Sequence, residues 1–142
     1  MFSDSSIPRD TIQAYLETHY QVLGETPATL RIGQFNPTLA ALHDASRVAS
    51  SAFITACNPL SERLDSQANA ARQDALARKL DALGLTRIDG VGQHPSNNWP
   101  GEASFLVLGV ALDAAKALGN EHGQNAIVWS GADAVPQLIL LR

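Results

Sequence analysis

Ile12, Tyr15, Leu16 and His19 recur at helical spacing in SIPRDTIQAYLETHY and predict a short amphipathic helix near the start of the chain. QVLG and TLRIG, on either side of the turn-like GETPA, read as two short strands. NPTLAALHDAS reads as a second helix, with Asn36 as its cap and Pro37 in its first turn. SSAFITAC is apolar at nearly every position, the pattern of a central strand covered on both faces. The longest helix is predicted over DSQANAARQDALARKLDALG and stops at Gly84. LTRIDGVG and ASFLVLGV read as strands separated by the polar loop QHPSNNWPGE. LDAAKALGNEHG reads as a fourth helix, weakened by Gly119, and NAIVWS and PQLILLR as a closing hairpin around GADAV. Hairpins at both ends favour a single α+β domain over residues 1–142, with a mixed, largely antiparallel sheet and about four helices, over a doubly wound parallel fold.

Composition agrees with a folded domain. The 142 residues include 45% hydrophobic and only 17% charged residues, a balance that excludes disorder. The formal net charge is -4 and the ten Lys and Arg residues form no run, so nucleic-acid binding is not expected. Cys57 is the single cysteine, which leaves no intramolecular disulfide and fits a reducing cytoplasm. The N-terminal stretch lacks the pattern of a secretory signal, and no apolar run is long enough to span a bilayer, so no membrane association is expected.

Chemistry gathers in three places. In the long helix, Asn69, Arg72, Leu76, Leu80 and Leu83 fall on one stripe, with the three leucines expected in the core. A charged side chain carried inward with them should meet an anion, a carboxylate or several carbonyls, because an unpaired buried charge is costly. Thr55, Asn58 and Ser61, at and beyond the end of the apolar strand, lie within loop reach of Asn69 and Arg72, and the helix N-terminus adds free amides. In NNWPGEAS, Glu102 and Ser104 alternate toward one strand face, and a partly desolvated Glu102 suits a general acid/base role. In HGQNAIVW, Gly123 reads as the left-handed residue after a helix, Gln124 and Asn125 as amides facing a ligand edge, and Trp129 as a stacking surface. Each cluster also has a structural reading as turns, caps and solvated edges.

Other chemistries lack their signatures. His19, His43, His94 and His122 show no metal-ligand spacing, and neither a phosphate-binding glycine loop nor a nucleophile elbow is present. Neither a metal nor a cofactor is expected. Cys57 with His94 or His122 as base is a weaker reading than Cys57 as an inert core residue.

The order Thr-Ala-x-Asn-Pro, Asn-x-x-Arg, Glu-x-Ser and Gly-Gln-Asn-Ala is specific in combination. It runs through AFITACNPLSERLDSQANAARQDAL, WPGEASFLVLG and HGQNAIVW, with AYLETHY and LRIGQFNPTLAALH before it. The chain thereby resembles the bacterial family called domain of unknown function 3293, over nearly its whole length. The resemblance implies a small cytoplasmic domain with no assigned activity, and a bulky aromatic where Cys57 stands, which further lowers the case for Cys57 as nucleophile.

The leading expectation is a domain that binds a polar or anionic, nucleotide-like small molecule at one end of the sheet, through Thr55, Asn58, Ser61, Asn69, Arg72, Ser104, Gln124 and Asn125. The alternatives are a metal-independent hydrolase or transferase using Glu102 and Arg72, and a protein-interaction module with structural polar clusters. If PQLILL lies at an exposed sheet edge, it could also pair between subunits of a homodimer.

Overall fold

The computed structural model describes residues 4–142. Among them are four α-helices and seven strands in the order α1 (Arg9–Glu17), β1 (His19–Val22), β2 (Ala28–Leu30), α2 (Pro37–Ser46), β3 (Ser51–Ile54), α3 (Ser66–Ala82), β4 (Thr86–Gln93), β5 (Glu102–Leu108), α4 (Leu112–Glu121), β6 (Ala126–Ser130) and β7 (Gln137–Leu140), with a 3-10 turn at Pro59–Ser61. One sheet holds every strand, in the spatial order β2-β1-β4-β5-β3-β6-β7. Every neighbouring pair is antiparallel, so the fold is α+β with a wholly antiparallel sheet. β7 forms one edge, the position the homodimer expectation requires.

The continuous apolar runs follow from cover on both faces at the sheet centre. Ala52 and Ile54 of β3 and Phe105 and Val107 of β5 pack under Leu76 and Leu80 of α3 and Ala115 and Leu118 of α4. The alternate residues Phe53, Leu106 and Leu108 turn to the other face and pack with Tyr20, Val22, Leu30 and Leu39. α1 closes that second face at one end, where Ile7 and Ile12 meet Leu138. Asn36 caps α2 as expected, its side-chain oxygen accepting from Leu39 N at 2.9 Å. Asp65 caps α3 in the same way, accepting from Ala68 N at 2.7 Å.

Three expectations shift register. α1 ends at Glu17, and His19 opens β1 opposite Gln93 rather than continuing the helix. The central strand stops at Ile54, because Thr55 turns its hydroxyl onto the ladder. In α3 the fully inward positions are Gln73, Leu76 and Leu80, while Leu83 is 53% exposed beyond the last helical residue. A 73, 76, 80 stripe follows the spacing of one helix face, whereas Leu83 falls where Gly84, at φ +70°, already ends the helix.

A candidate ligand-binding site

Between α1 and the adjoining sheet face lies a cavity of about 290 Å³. Its floor is aromatic: Tyr20 and Phe53 meet edge to face at 5.4 Å between ring centroids. Gly90 makes that floor possible, because a Cβ there would stand 2.7 Å from the Phe53 ring and 2.8 Å from the Gln21 carbonyl oxygen. Gly90 also pairs across the ladder with Ser104, and Gly92 with Glu102, so two side-chain-free positions lie opposite the polar end of β5. The two close glycines of GVGQHPSNN therefore open space inside the protein.

The wall is built by the segment after β3. Thr55 Oγ1 donates to Ala103 O at 2.7 Å and accepts from Cys57 N at 3.0 Å, which replaces strand pairing by a turn. Asn58 then adopts a left-handed backbone at φ 47°, as do Leu60 at 56° and Ser61 at 58°. Three non-glycine residues in that region within four positions cost roughly 1–3 kcal/mol each, a concentration of strain that surrounding bonds must hold. They do so. Asn58 N donates to Asn69 Oδ1 at 2.9 Å, and Asn58 Oδ1 accepts from Asn69 Nδ2 at 2.9 Å and Leu64 N at 2.8 Å. Leu60 N donates to Gly123 O at 2.8 Å, and Gly123 takes the left-handed conformation expected for it.

Glu102 is the charged centre of the wall. Its Oε2 accepts from Asn58 Nδ2 at 2.6 Å and from Trp99 Nε1 at 3.1 Å. Burial pushes its carboxyl above the usual carboxylate value, and the bonds from Asn58 and Trp99 only partly oppose that rise. Ser104 Oγ donates to Glu102 O at 3.0 Å. At the opposite side Asn125 Nδ2 donates to Tyr15 Oη at 3.2 Å and Ser61 Oγ at 3.3 Å, and these two hydroxyls also bond to each other. Gln124 Nε2 donates to Cys57 O at 3.1 Å and His122 O at 3.3 Å.

Of the residues singled out in the sequence, Thr55, Asn58, Ser61, Glu102, Ser104, Gln124 and Asn125 line this cavity. Asn69 and Arg72 do not. Arg72 meets carbonyls: Nε donates to Ala56 O at 2.8 Å and a terminal nitrogen to His122 O at 2.7 Å, joining the β3 exit to the α4 exit. Arg72 and Gln124 share the His122 carbonyl, so the two clusters meet at the loop that leaves α4, although α3 and the cavity lie on opposite faces of the sheet. Trp129 lies away from the cavity, with Nε1 on Val110 O at 3.0 Å and its ring against the α3–α4 core. Burial pushes the Cys57 thiol up, in keeping with an inert packing residue.

Tyr15, Tyr20, Trp99 and His94 were not anticipated as lining residues. Trp99 carried the clearest signal, an aromatic within a polar loop three residues before Glu102. His94 has a defined tautomer. Nδ1 accepts from Ser96 N at 3.1 Å and Asn97 N at 3.0 Å, which leaves the proton on Nε2 to donate to Glu17 at 2.9 Å. That bond ties the 94–101 loop to the end of α1 over the cavity. Among the described residues no three His, Cys, Asp or Glu side chains come together in a way that could hold a metal ion.

An antiparallel α+β sheet with a polar, aromatic-floored cavity at one end defines the architecture. The family described as protein of unknown function (DUF3293) matches residues 54–127, just over half the chain, and the protein belongs to that family. The matched span runs from the end of β3 into β6 and contains Asn58, Arg72, Glu102 and Gln124, while AYLETHY and LRIGQFNPTLAALH lie before it. Searches of curated proteins and of solved structures gave no match. No helix among the described residues is long and apolar enough to cross a membrane.

Proposed function

We propose that the protein binds a polar small molecule in the cavity between α1 and the sheet, with a neutral or cationic hydrogen-bond donor presented to Glu102. The observation that carries this reading is Glu102 itself. A carboxylate withdrawn from water is costly unless donors meet it, and Asn58 and Trp99 both bond to the same oxygen, Oε2. A ligand N–H on the other oxygen completes the set. Asp10 and Glu102 are in the lining and neither Lys nor Arg is, so the anionic part of the expected ligand finds no counter-charge here. A nucleotide-like ligand fits by its base: a planar ring on Tyr20 and Phe53, its polar edge toward Glu102.

An enzyme on the same site would use Glu102 as general acid/base. Arg72, the group expected to stabilise developing negative charge, donates to two carbonyls outside the cavity wall, which favours binding over catalysis.

Thermal-shift and calorimetric titration with guanine, guanosine, cytidine and adenosine tests the reading. A base edge with adjacent N–H donors, as in guanine, is expected to bind, and Glu102→Ala to lose that binding while remaining folded. Equal affinity in Glu102→Ala, or no binding across the panel, overturns it.

A further inference from the structure

Beyond the Asn58–Glu102 wall lies a second cavity of about 350 Å³, bordered by Gln73, Arg63, Ser66, Asn69, Asn58 and Glu102. Asn58 and Glu102 border both cavities, but this one adds the cation of Arg63 and the amide of Gln73, which the first lacks. Gln73 is only 8% exposed, and its Oε1 accepts from Ala56 N at 3.0 Å, which fixes Nε2 as the donor. That Nε2 is buried and has no partner, an arrangement that costs about 1–3 kcal/mol if nothing meets it. Arg63 is exposed at the same cavity and makes no ion pair among the described residues. Ser66 opens the 17-residue α3, whose first-turn amides carry the positive end of the helix dipole, with Asp65 occupying only the Ala68 amide by its side chain.

We propose that this second cavity is an anion subsite, taking a phosphate or carboxylate group on Gln73 Nε2, Arg63 and the first turn of α3. None of these three groups lines the first cavity, although Asn58 and Glu102 border both, so the two readings are followed by separate signals.

The test is a titration of the isotope-labelled full chain with inorganic phosphate and, separately, with acetate, followed by NMR at the Gln73 side-chain amide and the Ser66 and Gln67 backbone amides. Saturable shifts at these signals are expected, with affinity reduced about tenfold in Arg63→Ala, whose exposed side chain can be removed without disturbing the fold. The tighter of the two anions names the group that the subsite takes. Shifts that are absent, or that persist unweakened in Arg63→Ala as for an adventitious ion only, overturn the proposal. Signals of Thr55, Ser104 and Asn125 report the first cavity separately, so failure of one reading is distinguishable from failure of the other.

Discussion

Glu102 and Arg72 are both polar groups carried inward, and their surroundings give them different work. Glu102 has a folded-state pKa above its ordinary value, chiefly through burial. The folded protein therefore binds this proton more readily than the unfolded chain, and the associated stability is present below about pH 4.5 and is lost as pH rises through the folded value. Glu102→Gln keeps an acceptor for Asn58 and Trp99 without the charge. It is expected to raise the urea midpoint at pH 7–8 and to remove part of the decline in stability above pH 5, as measured by denaturation across pH. Arg72 instead serves two backbone carbonyls of segments that leave the sheet and α4. Arg72→Met should destabilise by about 2 kcal/mol through those unpaired acceptors, read by chemical denaturation. Neither role was decidable from residue type, since an inward arginine satisfies anions and carbonyls equally well.

At the level of the elements, glycines and register decide how the site is shaped. Gly119 weakens α4 as an isolated helix, yet a Cβ there would stand 2.6 Å from Leu141 Cδ1 and 2.8 Å from Ile127 Cγ2. Gly119→Ala is therefore expected to lower the melting temperature, although helix propensity alone predicts a gain. Gly90→Ala should cost about 1–3 kcal/mol and displace the Phe53 ring, seen as a changed aromatic NMR environment at the cavity floor. Helices and strands were legible from periodicity because both faces of the central strands are covered, which makes β3 and β5 apolar throughout. Their ends were less legible. Thr55 terminates β3 through a bond to Ala103, a residue 48 positions away, and His19 joins β1 because Gln93 lies opposite it. Leu83 lies outside the core for a local reason, since the helix stops one residue earlier, before the left-handed Gly84.

Across the whole molecule, stability depends on polar groups buried on both sides of the sheet. His43 is 4% exposed beside Ser51, with its ring nitrogen 2.7 Å from the hydroxyl, and burial holds its pKa below the ordinary histidine value. Its contribution is present above about pH 6.5 and is lost as pH falls through the lowered folded value, because the unfolded chain takes up the proton first. His43→Gln should therefore show a shallower loss of stability between pH 7 and pH 5 than the unaltered protein, measured by urea midpoints. The sequence by itself determined the α+β class, the order of the elements, the cap of α2 and most of the polar residues that converge on the cavity, because these follow from local periodicity and backbone chemistry. Only the tertiary structure decided that the sheet is antiparallel throughout, that Arg72 answers carbonyls, that Tyr20 and Phe53 form a floor, and that Asn58 and Glu102 stand between two cavities. Those outcomes depend on which distant segments meet, and a hydrophobic pattern records that a face is buried without recording what lies against it.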